Sequence, residues 1–340
     1  MPKFNPYFIA EISSNHCGSK SYAKRLIYEA KKYGANAVKL QTYTADTMTI
    51  KSEKKEFKIR TGIWKGKKLW DLYNEAHTPY QWHKDLFEYS KKIGIVCFST
   101  PFDESAVDLL ESLNCPFYKI ASFEMTDDNL IKKVAQTGKK MIISTGMAMI
   151  HEIDHAYELA NKFGAKEIIL MYCVSNYPSK ISDFNMQNID ILKKRYKCKV
   201  GFSDHSLDSD VAACAVMRGA DYIEKHIALD INKKSYDYKF SLKGKEILEF
   251  RHKIDKAKTL LGRSYFYRNL SEKKSLQFRR SIYAIKNIKK NELFDRSNIR
   301  VIRPGFGISP IYYNRIINKK SPKRILKGQR ITKFLYKKIK

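Results

Sequence analysis

Two histidines, His205 in KVGFSDH and His226 in DYIEKH, each close a short apolar run. Neutral imidazole is a common ligand of divalent transition metals, and two such side chains leave a coordination shell that substrate oxygens or water must complete. That is the arrangement of an open, catalytic site rather than a structural one. Other apolar runs end on Glu11, on Lys39 with Gln41, on Thr100, on Lys119 with Ser122, and on Ser144, Ser175 and Ser203. Hydroxyls beside lysines suit a phosphate or carboxylate, because they supply several hydrogen bonds around a charge that the ammoniums neutralise. A small, doubly anionic ligand is therefore expected. Each serine or threonine taken alone is more often a turn residue, and either histidine alone is more often structural; the case rests on recurrence at the run ends. Asp204 and Glu224 are candidates to orient the imidazoles from behind, although a flanking strand residue faces the opposite way. His77, His83, His151, His155 and His252 read as helix or lid surface.

The elements that must hold these side chains repeat eight times. Strands are predicted at 7–13, 36–42, 95–100, 117–122, 140–146, 167–173, 199–205 and 222–228, and amphipathic helical segments follow most of them. Several helices close on a glycine, among them Gly34, Gly94, Gly138, Gly164 and Gly219, as expected just past a helix end. Near-continuous apolar strands alternating with helices predict an α/β fold, a parallel (β/α)8 barrel, over residues 1–265. An open doubly wound sheet is the rival, and no G-x-G-x-x-G follows the first strand to support dinucleotide binding there. An aromatic insertion after the second strand, residues 43–83, reads as a packed lid. A charged linker at 266–278 leads to a second domain at 279–340, too small for a rich core and expected to dock on a partner.

The composition narrows the class. Hydrophobic residues make up 43% of the 340-residue chain, enough for a large core, so disorder is not expected. The six cysteines form no C-x-x-C pair, which predicts a reduced protein without a disulfide framework. No run approaches a membrane span, and the start MPKFNPYFIAEISSNH has no signal-like pattern, so a soluble cytoplasmic chain that binds no membrane is expected. The net charge of +30 comes mostly from scattered lysines. Without aromatics interleaved among arginines, it reads as solvated surface and as steering for an anionic substrate rather than as a nucleic-acid site.

In order, the segments AEISSNHCGS, GANAVKLQTYTADTMT, STPFDESAVDLL, YKIASFE, ISTGMA, GFSDHS, EKH and IRPGFGISP resemble the sialic acid synthase family over nearly the whole chain. The resemblance implies a (β/α)8 TIM barrel with a small C-terminal antifreeze-like (SAF) domain, and a homodimer with that domain swapped. It also implies condensation of phosphoenolpyruvate with an amino sugar to a nine-carbon 2-keto acid and phosphate. Carried over by position, phosphoenolpyruvate falls to Lys39, Thr100, Lys119, Ser122, Ser144 and Ser203, with Ser175 standing where sialate enzymes have an asparagine. The resemblance gives a divalent metal, Mn2+ first and Mg2+ or Co2+ as alternatives, to His205 and His226. It turns Glu11, Gln41, Tyr177 and Asp237 toward the sugar, places Glu124 near the reacting carbons, and sends Arg303 of RPGFG into the other subunit's site. The segments TGIWKGKKLWDLYNEAHTPYQWH and CVSNYPS resemble the pseudaminic acid branch, in which Trp64, Trp70, Tyr73 and Tyr80 would shield the methyl groups of 2,4-diacetamido-2,4,6-trideoxy-L-altrose. The sialate and legionaminate branches are the alternatives, and a metal-dependent aldolase or a basic nucleic-acid-binding protein are the rivals outside the family.

Overall fold

Runs of β-branched and aromatic residues pack well on a pleated, fully covered surface, and each such run forms a strand. The computed structural model describes residues 5–62, 64–231, 233–262 and 264–339. Its strands are β1 (Tyr7–Glu11), β2 (Ala37–Thr42), β3 (Val96–Pro101), β4 (Phe117–Ile120), β5 (Lys140–Ser144), β6 (Glu167–Cys173), β7 (Lys199–Asp204) and β8 (Tyr222–Ala228). Each pairs in parallel with the next, and β8 pairs in parallel with β1, setting His226 opposite Glu11. This closure excludes the open sheet. The fold is a (β/α)8 barrel, and the carboxyl ends of all eight strands gather at one mouth.

Helices Lys20–Lys32, Tyr80–Ile93, Glu104–Ser112, Asp128–Ala135, Ile150–Lys162, Gln187–Tyr196, Asp210–Met217 and Lys245–Leu261 follow the strands in turn. Helix Asp128–Ala135 shows why. Asp127 caps it by accepting from the amides of Asn129 and Leu130, and Leu130, Ile131, Val134 and Ala135 form the stripe that is buried against the barrel. Helix Tyr80–Ile93 stops at Gly94, whose φ of 72° lies where a side chain would be strained. One continuous core runs between strands and helices.

The insertion after β2 is ordered, as expected of a lid. It contains short helices Ala45–Met48 and Leu69–Ala76, and Tyr43 at its base meets Tyr73 and Phe102 edge-on.

The chain divides into two compact units, Met1–Gly262 and Arg263–Lys340. The second unit has its own core, including Ile282, Ile288, Phe294, Ile299, Ile316, Ile325 and Ile331, around the antiparallel strands Ser281–Ala284 and Ile299–Ile302. The charged segment at 266–278 is not featureless: Asn269 caps a helix at Leu270–Ser275. All six cysteines are free. No helix among the described residues is long and apolar enough to cross a membrane.

Candidate active site

The floor of the barrel mouth is a buried charge cluster. Strand alternation turns Lys39 on β2, Lys119 on β4 and Glu224 on β8 toward one point. Lys119 Nζ donates to Glu224 Oε1 at 2.5 Å, and Lys39 Nζ lies 3.7 Å from the same oxygen. Lys39 also pairs with Glu11 and donates to Thr100 Oγ1 at 3.2 Å. Ser203 Oγ donates to Glu224 Oε1 at 3.1 Å. All of these groups are buried. Burial alone would raise the Glu224 carboxyl, but the Lys119 and Lys39 ammoniums outweigh it and hold Glu224 well below the usual carboxylate range. Burial likewise pulls Lys39 down, yet Glu11 and Glu224 leave it above its ordinary value. Lys119 is lowered, because burial, with the neighbouring Lys39, outweighs the pull of Glu224.

Beside this cluster stand the two histidines. Their ring centroids are 5.6 Å apart. His205 Nδ1 is 2.9 Å from the carbonyl oxygen of Val174, which requires Nδ1 to carry the proton and donate it. Nε2 therefore keeps a lone pair, 3.3 Å from Ser203 Oγ, whose own proton goes to Glu224. Burial, reinforced by His226 and Lys119, pushes His205 down to about 3, so the ring is neutral at physiological pH. His226 Nδ1 is buried without a hydrogen-bond partner, 3.5 Å from Asp237 Oδ2. Two imidazoles with uncommitted nitrogens fit a divalent ion. Among the described residues no group of three or more His, Cys, Asp or Glu is arranged to hold one. Tyr177 lies over His205 at 4.4 Å, and Phe240 stands 5.0 Å from His226.

The remaining polar residues form a notch after β4, β5 and β6. A Cβ on Gly146 would come within 2.1 Å of Ser175 Oγ and 2.7 Å of Ser122 Oγ, so only glycine leaves this space open. The amide of Gly146 donates to Ser122 Oγ at 3.2 Å. The hydroxyls of Ser144 and Ser175 are buried without partners. Unsatisfied buried hydroxyls are unusual, and here they offer donors to an incoming oxyanion. Glu124, on the turn Ser122–Glu124, has one carboxylate oxygen unpartnered, and burial raises its carboxyl to about 7.

With this geometry, the barrel matches known proteins. Residues 26–265 match the NeuB family and residues 279–333 the SAF domain. The chain belongs to the NeuB family. Within it, the chain is 40% identical over 324 residues to the pseudaminic acid synthase of Campylobacter jejuni subsp. jejuni serotype O:2, covering 95% of this chain and 94% of that one. It is 39% identical to the pseudaminic acid synthase of Helicobacter pylori, covering 94% of each. The N-acetylneuraminic acid (sialic acid) synthetase of Leptospira borgpetersenii serovar Hardjo-bovis, solved with citrate, superposes with a TM-score of 0.72 at 30% identity, over 81% of this chain and 91% of that one. This NeuB-family chain is an enzyme of the sialic acid synthase type.

The NeuB-family barrel brings Glu11, Lys39, Thr100, Lys119, Ser203, His205, Tyr177, His226 and Asp237 into one connected set. Ser122 and Ser175 border the notch at Gly146, while Ser144 ends β5 and Glu124 ends the turn Ser122–Glu124. Gln41 sits beside Thr100 in the strand register. Arg303 is exposed on the second unit. Sequence reasoning gave Glu224 the wrong partner: it holds the lysines, and its signal was its spacing of two from His226, which sets both on one face. Asp204 does not orient His205. It is fully buried on the other face, 3.0 Å from Lys225 Nζ. His83 is not surface either. Its Nδ1 faces the Pro79 carbonyl at 3.2 Å and its Nε2 faces Thr42 Oγ1 at 2.8 Å, which in turn meets Ser99 Oγ at 2.6 Å. His16, which drew no attention in the sequence, is buried edge-on to Trp82 and 3.3 Å from Thr78 Oγ1. The T-P-Y-x-W-H stretch thus fastens the end of the lid to the tops of β1, β2 and β3.

Proposed function

We propose that the chain condenses phosphoenolpyruvate with 2,4-diacetamido-2,4,6-trideoxy-L-altrose, giving pseudaminic acid and phosphate. The observation that carries the reading is the pair of buried lysines sharing one carboxylate beside a notch of unpartnered hydroxyls, a preformed cradle for a small polyanion. Phosphoenolpyruvate oxygens would take up Lys39, Lys119, Thr100 and Ser203, with Ser122, Ser144 and Ser175 at the notch. Because these groups sit on strands, they need not reorganise as charge moves during the reaction. The methylene carbon of phosphoenolpyruvate forms the new bond to the aldehyde carbon of the open-chain sugar. Water adds at the cationic carbon left behind, and the carbon–oxygen bond to phosphate breaks. Glu124 holds a proton near neutral pH and is the group to exchange one with the reacting atoms. Glu11, Gln41, Tyr177 and Asp237 would position the sugar. His205 and His226 would hold the divalent ion, Mn2+ by preference, which when bound supplies a Lewis acid for the aldehyde oxygen.

The branch assignment follows the relatives named pseudaminic acid synthase at 39–40% identity. Mass analysis of the products formed from phosphoenolpyruvate with the trideoxy sugar or with N-acetylmannosamine tests it. Turnover of the trideoxy sugar with N-acetylmannosamine a poor substrate is expected; comparable turnover of both would overturn the branch. The second half of the proposal is a homodimer in which the C-terminal domain of one subunit brings Arg303 to the other's sugar. Mixed dimers of Arg303→Ala and Lys119→Ala subunits should regain activity, and failure to regain it would remove the arginine from the site.

A further inference from the structure

We propose that the indole N–H of Trp64 donates a hydrogen bond to an acetamido carbonyl oxygen of the amino sugar, making this lid residue a determinant of sugar recognition. The inference rests on the sugar-condensing reading above. Trp64 Nε1 is buried and has no acceptor. An indole nitrogen can only donate, and a buried donor left unpaired carries a penalty that native structures seldom keep without a use for it. The contrast within the lid is direct: Trp70, six residues on, gives its N–H to Asp46 Oδ1 at 2.7 Å.

Position supplies the second argument. The Trp64 ring meets Tyr177 at 6.0 Å and 41°, and Tyr177 lies over His205 and 5.4 Å from Phe240. Trp64 is therefore one ring removed from the histidine pair. The other lid aromatics are engaged elsewhere, Trp70 on Asp46, Tyr73 against Tyr43 and Tyr80 against His83. No group of the site takes the indole proton: the oxygens still open there, Glu124 Oε2 and Glu224 Oε2, are themselves without a hydrogen-bond partner, so the acceptor is left to a ligand. An acetamido group offers a carbonyl oxygen and a methyl together, which matches a lone donor set among aromatic rings.

Trp64→Phe keeps an aromatic ring and removes the N–H; benzothienylalanine at position 64 does so isosterically should phenylalanine pack poorly. The expected result is a rise of roughly five- to tenfold in KM for the sugar, from the loss of one hydrogen bond to a buried carbonyl. KM for phosphoenolpyruvate should stay within twofold. The melting temperature of the free enzyme should hold or rise, since an unpaired buried donor is gone, whereas a packing role would lower it and move both KM values. With analogues carrying a free amine at C2 or at C4, the penalty should vanish for one of the two and so name the acetamido group. A sugar KM within twofold of wild type, or an equal penalty for both analogues, would overturn the proposal. Wild-type preference between the diacetamido sugar and N-acetylmannosamine, measured alongside, judges the branch separately, because the Trp64 penalty can be read on whichever sugar the enzyme uses.

Discussion

Replacing Glu224 by glutamine should weaken the free enzyme and strengthen its response to phosphoenolpyruvate. The amide keeps the volume and an acceptor for Ser203, so the perturbation is one of charge rather than of cavity. Among the described residues Glu224 is the one carboxylate paired with Lys119, whereas Lys39 retains Glu11. Breaking a buried pair by removing one partner costs about 3–5 kcal/mol. Lys119 can also escape by losing its proton, which from an ordinary lysine value costs about 5 kcal/mol at pH 7; this sets a ceiling close to the first figure. With roughly 2–4 °C lost per kcal/mol in a domain of this size, the melting temperature should drop by on the order of 10 °C. Phosphoenolpyruvate then acts in the other direction. In the wild type it competes with Glu224 for the two ammoniums, while in the variant it restores the missing negative charge, so saturating ligand should raise the melting temperature further in the variant than in the wild type. Thermal unfolding with and without phosphoenolpyruvate reads both effects. A variant that melts within 2 °C of the wild type, using the slope above, or that gains no more from the ligand, would refute the view that the lysines are held apart from one another by this carboxylate.

Three further outcomes are expected. Glu124, raised by burial from 4.5 to about 7, favours the folded state fully below pH 4.5 and loses that contribution as pH rises through 7. Glu124→Gln should therefore gain melting temperature relative to wild type between pH 5 and 8 and should lose the activity limb near pH 7; a constant difference across that range would place the carboxyl in solvent. Gly146→Ala should raise KM for phosphoenolpyruvate at least tenfold, because its methyl would enter the space shared by Ser175 and Ser122; an unchanged KM would move the anion away from the notch. His205→Ala and His226→Ala should each abolish Mn2+ binding by calorimetry while leaving the far-ultraviolet spectrum intact, and Mn2+ bound normally by either variant would remove that histidine from the ligand set.

The barrel was legible because parallel strands covered on both faces read as unbroken apolar runs: β6 and β8 fall on the predicted 167–173 and 222–228. The polar ends were legible because a strand that points one side chain inward points the next but one inward too, which gives Lys39 with Gln41 and Ser203 with His205. What was not legible depends on which distant strands meet. Glu224 finds its role only when β2 and β4 bring two lysines to β8, sequence separations of 185 and 105 residues that no local pattern encodes. His83 was misread for a different reason. It shares a helical stripe with Leu86 and Ser90, a spacing that marks a buried face, but a histidine among lysines looks like surface until Thr42 and Ser99 are known to lie beneath it. The His83 error treats a polar residue as solvated by default. In a barrel mouth the default fails, because every strand end is covered by loops and must satisfy its polar groups there. The groups left unsatisfied after those internal pairings, Ser144, Ser175, His226 and Trp64 among them, are then the ones with bonding capacity to give to a ligand.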